Sequence, residues 1–449
     1  MKTTTRDMTL GNPLRLILGF AIPLFLSNLL QQAYNIGDMM VTGYNLGDSA
    51  IAAIGATSSF YSLLVNFCWG LNGGYGIVVA QCFGSHDRTR LRRSVAAMLV
   101  LNVVGAVVLT VASLVTLRPA MAFLNTPPEI FDAAYSYVLI VCAGLFATLF
   151  YNALAGFLRA IGNSVAPLWF LLASCLVNLG LDLVLIAGLG FGIRASALTN
   201  VFGQLLATIL CARYIWRHHK DLLPGREDFA FEGRLYFDML TQGLSMAAMN
   251  CIYAVGSVIL QRAINALGNT IIAAHASAQR VVMVLMMPLG TIASATSTFV
   301  GQNWGARKLD RIKEALAKSF ALEVGWGVIA CALVFALAEP MVVALTSTTD
   351  ADVLANAVMN LHVNFVFFPA LGVLLCLRMA MQSMGHKIAP LFSSTLELVI
   401  KVASSLWVIP VHGYLAASFT EPITWLACAA LLVCIFVAHP VVGGRGTSE

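Results

Sequence analysis

One stretch of this chain occurs twice, and that repetition constrains the fold more than any other feature. Leu46-Gly47-Asp48-Ser49-Ala50-Ile51-Ala52-Ala53 returns as Leu267-Gly268-Asn269-Thr270-Ile271-Ile272-Ala273-Ala274, a shift of 221 residues. The same shift carries Gln81 to Gln302, Gly84 to Gly305 and Pro119 to Pro340. After two inserted residues, Gly162, Pro167 and Gly190 return as Gly385, Pro390 and Gly413. Duplicated hydrophobic bundles are a common transporter architecture, with the solute site between the repeats.

The repeated unit belongs in a membrane. Residues are 59% hydrophobic and only 10% charged, outside the range of ordinary soluble domains. Twelve apolar runs can be drawn, at about 14–37, 51–80, 94–117, 131–156, 165–188, 195–215, 236–265, 271–301, 315–337, 353–377, 389–410 and 415–438. Gly and Pro inside several runs predict tilted or bent helices. The fold class is therefore an all-α membrane protein of twelve transmembrane helices in two pseudo-symmetric six-helix lobes, 1–220 and 221–449. A polar linker at about 217–234 joins them. Six is even, so both halves enter the membrane from one side and an axis along the membrane normal relates them.

Basic residues set the expected orientation. Most Lys and Arg fall at the N-terminus, in even-numbered loops or at the C-terminus, while Arg118 and Arg194 fall in odd-numbered loops. The clusters Arg88, Arg90, Arg92, Arg93 and Arg307, Lys308, Arg311, Lys313 sit at matching places in the two halves. By the positive-inside rule both termini are cytoplasmic in a multi-pass protein of the cell (inner) membrane. The net charge of +5 then reflects topology and not nucleic-acid binding. No signal peptide is visible. The ten Cys lack paired ligand spacing and read as small buried residues, so no structural metal is expected.

Ionisable groups inside spans cost at least about 2.5 kcal/mol each on insertion scales, so each needs a reason. Asp38 closes the first span, either as a carboxylate that binds a proton or Na⁺ or as an interfacial carboxylate satisfied by water. Asn178 and Asp182, four apart, share a helix face in the fifth span. That pair suits a hard cation, a shared proton or an interhelical hydrogen bond. Asn200 and Tyr137 can complete the cluster. Glu397 and Lys401 are also four apart, in the favourable order, and read first as a self-neutralising pair with a gate or substrate contact as the alternative. His275 and Arg280 share the eighth span. Glu421-Pro422 marks a local break in or near the twelfth.

The Gly-rich run from Gly70 to Gly76 has no following Gly-Lys-Ser/Thr and reads as close helix packing or bending, not a phosphate loop. Without a catalytic triad, a metal motif or a cofactor signature, the chain does not read as an enzyme.

Taken in order, these residues resemble a known family. The pattern runs from Ala21-Ile22-Pro23 through Gln32-Ala33-Tyr34 and Asp38 to Leu46-Gly47. It continues with Gln81-Cys82-Phe83-Gly84, Leu158-Arg159-Ala160-Ile161-Gly162-Asn163 and Asn178 to Asp182. In the second half come Gly301-Gln302-Asn303-Trp304-Gly305-Ala306, Gly385 with Pro390, and Glu421-Pro422-Ile423-Thr424-Trp425. This set resembles the multidrug and toxic compound extrusion (MATE) family.

The resemblance implies a V of two six-helix lobes that alternate access. It implies antiport of H⁺ or Na⁺ against small organic, often cationic or amphipathic, compounds, with no cofactor beyond the ion. It places coupling acids at Asp38 and Asp182, with polar partners at Tyr137, Asn178 and Asn200, and Tyr34 joins the candidate set. A Na⁺ would sit at Asp38, Asp182 and Asn178. Asn200 departs from the Thr expected there. The branch with an acid in the seventh span is not matched, because the run Met246-Ala247-Ala248-Met249-Asn250-Cys251-Ile252-Tyr253 has none. Glu397, Lys401, Arg280 and His275 are second-lobe candidates.

The expected partners are small-molecule substrates and the bilayer, for a chain acting as a monomer. A flippase for lipid-linked oligosaccharide or lipid, of the related superfamily, is the alternative. The repeat itself is asymmetric in charge: Asp38 falls opposite Ile259, Asp182 opposite Ser405 and Asn178 opposite Lys401.

Overall fold

The long apolar runs, with little in them to compete with helical backbone hydrogen bonding, fold as helices. The computed structural model describes residues 5–123, 126–348 and 350–438. The first half contains α1 (Pro13–Leu46), α2 (Asp48–Gly84), α3 (Arg88–Phe123), α4 (Pro128–Ala143), α5 (Leu145–Ala160), α6 (Val165–Asp182) and α7 (Ile193–His218). The second contains α8 (Gly233–Asn265), α9 (Asn269–Gly305), α10 (Leu309–Thr346), α11 (Ala351–Val366), α12 (Phe368–Ser383), α13 (Ile388–Ala403) and α14 (Ile409–Val437).

Among the described residues nine helices are long and apolar enough to span a membrane, or eleven when the bent pairs α4–α5 and α11–α12 each count as one. The last of these, Ile388–Val437, is 50 residues long and turns at Gly413, whose φ of 63° and ψ of −147° suit only glycine. The runs drawn at 389–410 and 415–438 both fall on it, the second ending one residue beyond.

The repeat survives at backbone level. α2 and α9 are each 37 residues long and begin and end at positions 221 apart. The bends match too, 43° in α4–α5 and 54° in α11–α12. α6 runs into a π-helical turn at Leu183–Gly188, and α13 into one at Ser404–Val408. Left-handed residues recur in pairs: Gly47 and Gly268, His86 and Arg307, Gly162 and Gly385, Gly190 and Gly413. The shared glycines therefore mark turns of the same shape in both halves.

The helices group into two units, although not at residue 220. The first holds Ile22–Ala247 with residues up to Asp7, and the second holds Ala248 onward with Met8–Ala21. Each unit thus takes the entry turns of the other half's first helix. In the first unit, α2 lies against the backbone of early α8. A Cβ added to Gly70 would stand 2.6 Å from the Ala247 Cα, and one on Gly74 2.5 Å from the Gly243 Cα. This bears out the packing role read for the Gly-rich run.

In the second unit, Met8 N–H donates to Gln302 Oε1 at 2.8 Å. Its carbonyl accepts from Asn303 Nδ2 at 3.0 Å and Arg311 Nη2 at 3.1 Å. The linker of the first unit is tied to α3 in the same manner, by Arg88–Asp221 at 3.0 Å and Arg92–Asp228 at 3.4 Å.

Two local expectations change. Asp38 does not end the first helix, because α1 continues to Leu46 and stops only before Gly47, φ 76°. Hydropathy fades at Gln31 to Asp38, but nothing there breaks a helix. Likewise, the break near Glu421-Pro422 lies instead at Gly413, and Pro422 stays inside α14.

Candidate functional site

The first unit brings together side chains from α1, α6 and α7. Asp182 is fully buried at the C-terminal end of α6 and accepts a very short hydrogen bond from the Thr199 hydroxyl. Asp38, half-buried on α1, lies within electrostatic and hydrogen-bonding reach of Asp182. Tyr34, one turn earlier on α1, and Tyr137 on α4 are buried within electrostatic reach of both acids. Asn178 is buried one turn before Asp182 on the same face, against Gly203 and Ser174, whose hydroxyl donates to the Gly203 carbonyl at 2.6 Å.

Three buried oxygens here accept from no donor: Asp38 Oδ1, Asp182 Oδ2 and Asn178 Oδ1. Two neighbouring carboxyl groups form a hard oxygen pair that suits a proton or a monovalent cation, with Asn178 one turn away on the face of Asp182. No Lys, Arg or His pairs with either acid among the described residues, so their charge is left for something else to balance.

Asn200 is half-buried, and the hydroxyl that reaches Asp182 belongs to its neighbour Thr199. A helix turns about 100° per residue, so one position decides which side chain faces α6. The sequence reading set the polar partner one residue too late.

In the second unit, Lys401 Nζ contacts Glu397 Oε1 at 3.1 Å and Glu421 Oε1 at 2.9 Å, and Glu397 Oε2 also meets Arg378 Nη2 at 3.2 Å. His275 and Arg280 bond elsewhere. His275 Nδ1 lies 3.4 Å from the Tyr414 hydroxyl, and Arg280 Nη1 donates to the Leu345 carbonyl at 3.2 Å. Sequence reasoning passed over Arg378, which sits one position beyond the tenth run as drawn but is buried within α12. It also passed over Glu323, fully buried in α10 with neither carboxyl oxygen hydrogen-bonded. An acid centred in an apolar run was the signal for Glu323.

Comparison with known proteins assigns this architecture. The family model described as MatE matches residues 23–184 and again 245–407, once for each half. The chain belongs to the MatE family. That family is one of multi-pass membrane transporters. One curated relative, the probable multidrug resistance protein YoeA of Bacillus subtilis (strain 168), is 28% identical over 305 residues, 66% of each chain. The aligned stretch thus falls just short of two thirds of that relative. A FAD transporter of Shewanella oneidensis is 21% identical over 95% of this chain and 94% of its own.

Among solved structures, an outward-facing multidrug resistance MATE family transporter of the MOP superfamily superposes with a TM-score of 0.88 at 19% identity, covering 99% of both chains. A MOP superfamily transporter from Pyrococcus furiosus, described as having a binding pocket of reverse polarity, gives 0.89 at 20% identity over all of both chains. At such identities these two speak for the fold of this MatE protein, whose all-helical class stands.

Proposed function

We propose that this transporter is a cation-coupled antiporter that exports small organic, amphipathic or cationic compounds across the cell membrane by alternating access. H⁺ or Na⁺ is the coupling ion, held at Asp38 and Asp182. The observation that carries the reading is the acid pair itself: two neighbouring carboxyl groups, one fully buried, with acceptor oxygens that no protein donor satisfies. Occupying that site lowers the negative charge of the acid pair and weakens attraction for a cationic solute. One charge moving inward across 100 mV supplies about 2.3 kcal/mol to drive the cycle.

The multidrug resistance relatives support export of varied organic compounds. The FAD transporter supports testing an anionic flavin nucleotide beside cationic dyes. A flippase for a pyrophosphate-linked lipid is disfavoured, because Lys401 and Arg378 are already engaged by Glu397 and Glu421. One chain carries both repeats, which supports a monomer as the working unit.

Dye efflux from proteoliposomes under imposed pH or Na⁺ gradients tests the reading and identifies the ion. Asp182→Asn should abolish gradient-driven export while the purified protein keeps its monodisperse elution. Undiminished export by a folded variant sinks the assignment.

A further inference from the structure

The geometry points to a second cation site in this protein, one permanently filled by the protein's own lysine. Lys401 and Asn178 occupy matching places in the repeat, on α13 and α6, each shortly before a π-helical turn. In the first unit that neighbourhood holds two acids and, among the described residues, no basic side chain paired with them. In the second it holds two acids, Glu397 and Glu421, with a fully buried ammonium between them at 3.1 and 2.9 Å.

The ammonium also lies 4.4 Å from the centroid of the Tyr253 ring, a cation–π contact that completes a cation-binding cage. Gly256 leaves room for the lysine stem, since a Cβ there would stand 3.1 Å from Lys401 Cδ. Arg378 takes the far oxygen of Glu397 at 3.2 Å and is held by the Ser393 hydroxyl at 3.0 Å. The four charges sum to zero. Opposite Asp182, Ser405 is buried with its hydroxyl unpartnered and adds no charge.

The two units therefore hold acid pairs around one shared repeat position, Asn178 and Lys401, in two states of filling, although the acids themselves fall at different positions, Glu397 opposite Ser174 and Glu421 opposite Leu198. The first needs an exchangeable ion, whereas the second carries a tethered one and takes part in no coupling step. The tether fixes which half of a duplicated transporter senses the gradient. Replacing the lysine by an apolar side chain of similar length would leave Glu397, Glu421 and Arg378 with a net charge of −1, and a buried unbalanced charge recruits a proton or a small cation.

The inference rests on the first-unit reading for its contrast but is tested separately. With Asp38→Asn and Asp182→Asn silencing the first site, equilibrium binding of radiolabelled Na⁺ and proton uptake after a pH jump are measured on purified protein. That parent should show no saturable Na⁺ binding and sets the baseline of proton uptake, to which Glu323 and the surface groups contribute; saturable Na⁺ binding with Lys401 intact overturns the inference. Adding Lys401→Met should create saturable Na⁺ or H⁺ binding, which further Glu421→Gln should remove. A folded Lys401→Met protein that gains neither also overturns it. If Lys401→Met is not recovered folded, Lys401→Met with Glu421→Gln decides. Recovery at the parental yield upholds charge compensation as the lysine's role, and failure overturns it. Failure of the first-unit reading has a different signature, coupled export that survives Asp182→Asn alone.

Discussion

At the scale of single residues, the first-unit site turns on which oxygen meets which donor. Thr199 supplies the hydroxyl bonded to Asp182, and a hydrogen bond to a charged group contributes about 1.5–3 kcal/mol. Thr199→Val keeps the shape and removes the donor. It should raise the half-saturating Na⁺ concentration of a Na⁺-driven cycle roughly tenfold, read as Na⁺-dependent efflux. Unchanged ion dependence would show that the hydroxyl only packs. Asp182 and Asn178 were legible because their spacing puts both on one helix face. Thr199 was not, because neighbouring polar residues on a helix cannot be ranked until the opposing helix fixes the rotation of α7. Arg378 and Glu421 were hidden for a similar reason: their importance lies in meeting Glu397 and Lys401 across helices.

At the scale of elements, glycine decides how closely helices approach. Gly74→Ala would drive a Cβ to 2.5 Å from the Gly243 backbone, where only a shift of whole helices could relieve the contact. Overpacking of that kind costs about 1–3 kcal/mol. Thermal unfolding in detergent should show a lower midpoint for Gly74→Ala. Gly55→Ala, on the same helix with nothing within 4 Å, should be neutral or stabilising. Equal effects would remove close packing as the reason for the Gly-rich run.

The basic clusters have an elemental role that orientation alone did not suggest. Arg311 and Lys308 hold carbonyls of the segment before α1, and Arg88 and Arg92 hold the linker before α8. Each cluster thus anchors the strand of chain that enters the other half's first helix. Sequence position reveals the charges, whereas only the folded path reveals what they grip.

At the scale of the whole molecule, the even number of spans in each half and the matched basic clusters predict that both chain ends face the cytoplasm. An alkaline phosphatase fusion at the C-terminus should therefore be inactive, and one inserted after Asp350 should be active. The opposite pattern would invert the proposed direction of transport.

The duplication, the membrane-spanning class, the matching turns and the acids of the first half could all be read from the chain alone. They depend on composition and spacing, which a single helix or turn expresses by itself. The division near Ala247, the partnership of Thr199 with Asp182, and the caging of Lys401 between Glu397 and Glu421 were decided by tertiary structure. Each is set by the rotation and separation of helices distant in sequence, and in a bilayer that packing governs which buried charge finds its counter-charge.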